Sequence, residues 1–422
     1  MRVFPIGFLL RALLCVVMAA SPWEVLCAAS AQQDYEKVPV LHAADLLGAR
    51  FLSGKKFSVR DKVQSMDGAN HFRIDSSFGS FEAVGNQQLL QRVREIEALE
   101  QMHELSRGAE FSKALGRSAS SPLVAVKDLV LHPAQTLGGL PRGVWKFLRR
   151  AGRAVEEGGQ GRKASEYEDG AGRALIGFSR VKRGLALRVG VDPYTSNKVL
   201  QKELDRMAWT MFAGEMPLRL GSIAVTGGVG VALVSTELSS ELNQVLLDSS
   251  PIDLRIRNAK KLKAMGVPDG DATALVNSAA FSPLHQTVIV AALEKLEGVK
   301  GREVVVRMAA GAEKEAAAVR FQQLALLLVR LKEDGRRSPV QLGMFRGRMV
   351  YGAVDGSYVA PLVCDYAVWT REMEELVRAL KQASATGKRA GVVFTGVASA
   401  KCRQRLLEEK VDFVERALPG PW

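Results

Sequence analysis

Cysteine is scarce in this chain. Its 422 residues hold four, and Cys15 and Cys27 lie close to the N-terminus, leaving Cys364 and Cys402 far downstream. The five histidines are scattered. No Cys/His pair has the spacing of a zinc site, so no metal is expected. H-E-x-x-H, G-x-S-x-G and a complete Walker loop are all missing. That removes the local signatures of zinc proteases, of serine hydrolases with a nucleophile elbow and of P-loop nucleotide enzymes. The fragment "ATGKR" around Gly387 and Lys388 lacks both the earlier glycine and the Ser/Thr of a phosphate loop. There is no solenoid-type repeat and no heptad run. Nothing in the sequence implies a cofactor.

An apolar run long enough to span a bilayer is missing too. Leu220 to Thr236 is 17 residues without charge between Arg219 and Glu237, short of the roughly 20 that a spanning helix needs. Its four glycines suit close backbone packing in lipid and in protein alike. Gly228-Val229-Gly230 opens a G-x-G-x-x-G pattern, but Leu233 stands at the third glycine position, a poor fit to dinucleotide binding. The stretch reads as a buried, tightly packed segment, with membrane insertion as the alternative.

What is present begins with a leader. Arg2 and Arg11 precede and flank an apolar core, Ala12 to Ala20; Pro22 breaks the helix, and Ala29-Ser30-Ala31 is an A-x-A site. Residues 1–31 are expected to be a signal peptide cut after Ala31, with Ala20 and Ala28 as alternative sites. This places the protein in the periplasm or cell envelope. The roughly 390 residues that remain suit two or three domains with a sizeable core. Loss of Arg2, Arg11 and Glu24 with the leader takes the net charge from +13 to +12, which in that compartment points to anionic lipid or an envelope polymer as partner rather than nucleic acid, unless it serves solubility alone. An oxidising compartment makes Cys364 and Cys402 a disulfide candidate, two separately buried thiols being the alternative.

The pattern along the chain predicts residues 32–155 as a β-meander plus helices. Phe57, Val59, Val63, Phe72, Ile74 and Phe78 alternate with polar residues around an Asp67-Gly68 turn. Residues 87–115 have helical spacing. "PRGVWKFLRRAGRAVEEG" closes this part as a basic amphipathic helix. Lys146, Arg149, Arg150 and Arg153 form one stripe, Val144, Phe147, Leu148 and Val155 the opposite face, with Trp145 beside them. Such a helix lies in a membrane interface or turns its apolar face to the core. Those four cations and Trp145 are the anionic-surface candidates, and Arg180, Lys182, Arg183 and Arg188 extend the basic surface.

Residues 156–174, rich in Gly and charge, read as a linker. Residues 175–335 read as a helical domain containing the glycine-rich segment 220–236. "DPYTSN" is a turn whose Ser196 or Asn197 caps a helix over 198–212. Ser282 and Pro283 start another, with His285 as a helix-terminus residue. Residues 336–422 read as a C-terminal α/β element with a hairpin at Asp355-Gly356 and a strand at "AGVVFTG". The fold class expected is mainly α with a small β-meander near the N-terminus and a C-terminal α/β element, α+β overall. For a hydrolase assembled from distant residues, Asp365, Ser399 and His285 are the first to consider.

Four phrases, "GLPRGVWKFLRRAGR", "VDPYTSN", "CDYAVWT" and "FTGVASAKCRQRLLEE", together resemble exported bacterial proteins of the uncharacterised, domain-of-unknown-function kind. The likeness spans most of the chain after the leader. It implies export and brings no activity, cofactor or site residue. The expected function is an envelope protein that touches anionic membrane or polymer through the basic helix; the alternative is a periplasmic hydrolase with a site between the helical body and the C-terminal element.

Overall fold

The computed structural model describes residues 35–120, 178–213, 236–345, 347–384 and 387–422. The chain opens with β1 (Val40–His42), two one-turn helices, α1 (Ala43–Leu46) and α2 (Ala49–Leu52), and β2 (Ser53–Gly54). Strands β3 (Phe57–Val59), β4 (Lys62–Met66), β5 (Ala69–Ser76) and β6 (Gly79–Val84) follow. All six strands join one antiparallel sheet. β5 is its spine: β4 and β3 pair end to end along one edge and β6 along the other. The Asp67-Gly68 turn takes φ of 51° and 74°, the doubly positive geometry whose twist matches a tight hairpin. Alternation puts Val63, Phe72, Ile74 and Ala83 on one face, packed on Leu89, Val93 and Ile96 of α3 (Asn86–Ser106).

The far end of α3 enters a second core with α4 (Ala109–Ser120), α5 (Phe178–Arg188) and α6 (Lys198–Ala213), filled by Leu99, Phe111, Leu185, Leu204 and Met207. Six helices follow: α7 (Thr236–Asp248), α8 (Pro251–Ala264), α9 (Asp269–Asn277), α10 (Pro283–Lys295), α11 (Glu303–Ala310) and α12 (Glu315–Asp334). Helix α10 is apolar nearly all round, with Val288, Ile289, Val290 and Leu293 buried, as befits a central helix. Its start is the one the sequence indicates. The Ser282 hydroxyl accepts the His285 N–H at 3.2 Å, and Pro283 takes the first helical position.

The C-terminal sheet runs β13 (Asp412–Val414), β11 (Ala390–Phe394), β9 (Tyr358–Leu362), β8 (Arg348–Ala353), β7 (Pro339–Phe345). The first three are parallel, the others antiparallel. Helices α13 (Arg371–Ala383) and α14 (Ala400–Glu408) supply the crossovers, and β10 (Tyr366–Ala367) pairs with β12 (Val397–Ala398) in a third, two-stranded sheet. Period-two alternation divides the main sheet between two cores. Val350, Ala360, Val392 and Phe394 face α13 and α14, whereas Tyr351, Val359 and Val393 face the helical body. Both faces being covered explains the unbroken apolar run of β11.

The expectation of a mainly α chain is overturned. Among the described residues 53% are helical and 20% are strand, the latter in three sheets, so the fold is mixed α+β. The shortfall has a physical cause. Strands such as β1, β2, β10 and β12 span two or three residues and owe their existence to partners elsewhere in the chain. Even β7 is held on its outer edge by Lys300, through Lys300 N–H to Val340 O and Leu342 N–H to Lys300 O at 2.9 and 2.8 Å. The next residue must be glycine. Gly301 has φ of 80°, and a Cβ there would stand 2.2 Å from the Leu342 carbonyl oxygen.

Candidate functional site

The site grows from the "DPYTSN" turn, which lies between α5 and α6. Asp192 Oδ1 accepts the Tyr194 N–H at 2.8 Å. Asn197 caps α6, its Oδ1 accepting from Val199 and Leu200 N–H at 3.1 and 3.2 Å. The middle of the turn is pinned to α3. Glu95 accepts from the Thr195 hydroxyl and from Asn197 Nδ2. Arg92 donates to both oxygens of Glu95, at 3.0 and 2.8 Å, to Ser196 Oγ at 3.0 Å and to Glu315 at 3.3 Å. One guanidinium therefore joins two carboxylates from α3 and α12, and all three side chains are at least four-fifths buried. Removing one partner would strand the others, so the cluster fixes the turn.

Asp192 then meets the start of α10. The Ser282 hydroxyl donates to Asp192 Oδ2 at 2.9 Å while accepting from His285 N–H. The Ser282 N–H approaches His285 Nδ1 at 3.4 Å. With Nδ1 as acceptor, the imidazole carries its proton on Nε2. His285 is 4% exposed, and among the described residues no group hydrogen-bonds its Nε2. Desolvation, with the Arg92 charge adding, pushes the imidazole down to about 4. Desolvation pushes Asp192 up to about 7; the Tyr194 N–H and Ser282 hydroxyl work against that rise, and the charges of Glu315 and Glu95 reinforce it. Near neutrality the imidazole is thus uncharged, and the carboxyl, linked to it through Ser282, is poised between its two forms.

Both side chains line a cavity of about 100 Å³. Leu187, Val191, Leu242, Leu246, Leu284, Val288 and Val319 give it apolar walls, and Gln87, Gln91, Arg94, Glu95, Asp192, Asn243, His285 and Gln322 are its polar lining. The close turn at Gly190, with φ of 75°, brings backbone against the Arg94 guanidinium, where a Cβ would lie 3.3 Å from Nε. The arrangement offers hydrogen-bond donors and a titrating carboxyl on the lining of a chamber with aliphatic walls. Among the described residues there is no cluster of metal-ligating side chains.

The residues singled out from the sequence are dispersed. Of the three hydrolase candidates, His285 alone lines this cavity. Asp365, after β9, accepts the backbone N–H of Asn70 and Asn86 at 2.8 and 3.1 Å, which ties the N-terminal sheet to the C-terminal element. Desolvation raises it to about 6, against the pull of those two N–H groups. Ser399 caps α14 and donates to Glu36 at 2.6 Å. No hydrogen bond joins any two of the three. Cys364, half-buried, and Cys402, buried, stand as separate thiols, one of the two arrangements open from the sequence. Burial pushes both up, Cys402 to about 12, which keeps them protonated and unreactive. Trp145, Lys146, Arg149, Arg150 and Arg153 lie outside the described residues, as does all of the glycine-rich segment except Thr236, which opens α7. No helix among the described residues is long and apolar enough to cross a membrane.

Sequence reasoning missed Arg92, Arg94 and Glu95, because a charged helix face reads as solvated. It also took Asp192 for ordinary turn chemistry. The one available signal was the coincidence of two strong caps, "DPYTSN" and "SPLH", in one helical domain. Comparison with protein-family models, with curated proteins and with solved structures gives no match.

Proposed function

We propose that this is an exported envelope protein that binds a small, mainly apolar molecule in the cavity at His285, with the polar end of the ligand against His285 and Asp192. The observation that carries the reading is that His285 and Asp192, both nearly fully buried, line a cavity whose exposed surface is mostly aliphatic. Polar groups set among apolar walls are the usual form of a ligand site. The volume suits a compact molecule rather than a polymer. The leader and the +13 charge support export and an anionic lipid or polymer as a separate partner.

The test is a screen of small aliphatic and aromatic acids, amides and esters by ligand-observed NMR, with His285→Gln as the control. Gln at this third helical position still completes the cap but removes the ring. Binding by the wild-type protein that is lost in His285→Gln supports the reading; equal binding by the two proteins refutes it. Asp192 at about 7 favours a second reading, acid catalysis on such a ligand. Turnover of a bound ester or amide that disappears in Asp192→Asn, with binding retained, would establish that reading.

A further inference from the structure

Helix α8 turns an unexpected face to solvent. Ile252 and Ile256, one turn apart, are 52% and 64% exposed, whereas Leu254 and Leu262 of the same helix are fully buried. Single surface isoleucines need no explanation; these two stand inside a ring of cations. At about 100° per residue, Ile252, Lys263, Ile256 and Lys260 follow one another around one arc of the helix, and Arg257 lies farther round, beyond Asp253 and Ala264. The only acid in α8 is Asp253. It is committed to the N-terminal cap, accepting from the Ser250 N–H at 3.1 Å and the Ser250 hydroxyl at 2.7 Å. Lys263 lies 3.6 Å from Asp269, both side chains about three-quarters exposed, a contact worth little in water. Among the described residues Arg257 and Lys260 have no ion-pair partner. Beside this arc, Arg257, Lys261 and Lys295 line a cleft of about 250 Å³ between α8 and α10, together with Glu294, which pairs with Lys261 at 2.5 Å.

We infer that α8 is a membrane-surface contact, in which Ile252 and Ile256 enter the headgroup–acyl boundary of an anionic bilayer while Arg257, Lys260 and Lys263 meet its phosphates. Aliphatic side chains flanked by solvent-exposed cations are what an interfacial helix presents. In the adjoining cleft Glu294 already holds Lys261, which leaves Arg257 and Lys295 as the cations at its rim. Charge decides the occupant. A second copy of this chain docked on the same face would bring the same cations together, which is repulsive, whereas an anionic surface neutralises them. The contact is independent of the cavity at His285. It is also a different element from the basic stripe at Lys146 to Arg153.

Co-sedimentation of the full chain with phosphatidylcholine vesicles, with and without phosphatidylglycerol, tests it. Each cation near an anionic surface changes partitioning about fivefold, so R257Q/K260Q/K263Q lowers binding about a hundredfold. I252S/I256S lowers it on the order of tenfold or more, from lost apolar burial. Both variants keep the wild-type unfolding midpoint, because the altered side chains are exposed. An environment-sensitive label on Ile256→Cys shifts to the blue only when phosphatidylglycerol is present. The inference is overturned if the wild-type chain ignores anionic vesicles, or if I252S/I256S binds them as the wild-type does. A label at 256 that stays in water while the protein binds overturns it as well and assigns the contact to another surface. Dimerisation that is lost in I252S/I256S overturns it by making a second copy the occupant.

Discussion

The burial of Asp192 and His285 on either side of Ser282 makes a quantitative prediction about protons. Between about pH 4 and pH 6.5 the folded protein holds one proton on Asp192, at about 7, and none on His285, at about 4. The unfolded chain does the reverse, because a free carboxyl has given up its proton near 3.8 and a free imidazole keeps its own up to 6.5. The two states therefore bind the same number of protons, and the pair adds no slope to stability across that window. Single substitutions expose the two halves. In His285→Gln only Asp192 titrates, and the folded state binds one proton more, so stability falls as pH rises, by about 1.4 kcal/mol per pH unit. In Asp192→Asn only His285 titrates, and the unfolded state binds one more, so stability rises with pH at a similar rate. From about pH 4.5 to pH 6 each variant moves by roughly 2 kcal/mol relative to the wild-type protein, in opposite directions. Urea unfolding of the three proteins at several pH values across that range measures this. Subtracting the wild-type curve cancels the other titrating groups, and the double variant should return to a flat difference. Variant curves that run parallel to the wild-type curve would refute the burial of this pair.

Two further predictions concern the joints of the fold. Asp365→Ala leaves the buried Asn70 and Asn86 N–H groups without an acceptor and should cost about 2–5 kcal/mol, read as a lowered urea midpoint, with Asp365→Asn milder because one amide oxygen remains. Thiol titration without reductant should find Cys364 and Cys402 slow to react in the native protein and both fast in denaturant, because burial alone protects them; a denatured chain that yields no reaction at these positions would show a disulfide instead.

Much of the local structure was legible because its causes are local. Asp67-Gly68 makes its hairpin, Asn197 caps α6, and Ser282 with Pro283 starts α10, each through hydrogen bonds spanning a few residues. The alternation from Phe57 to Phe78 and the helical spacing from Leu89 to Leu99 also hold, although the structure divides residues 86–120 into α3 and α4. The site was less legible because its bonds are remote. Glu95 meets Thr195 and Asn197 about a hundred residues away, and Arg92 meets Glu315 at a separation of 223. No periodicity encodes which charged residue of a helix will be buried by such partners. The strand content was underestimated for the same reason. A two-residue strand carries no pattern of its own, and the pairing of β9 with β11 crosses an entire helix.

The start of the described chain is fastened to its far end. Tyr35 donates to Glu374, Glu36 accepts from Trp369 N–H and from Ser399, and the Gly48 N–H donates to Pro421 O. A ribosome delivers residue 36 long before residue 369 or 399, a lag of 333 and 363 residues. Glu36 therefore waits for its partners, since closing so long a loop delays folding more than it weakens the finished fold. A product truncated before Ser399 would lack part of the clasp for Glu36. The segment around Glu36 would then remain loose and open to proteases, so its protection reports whether the chain has been made as far as α14.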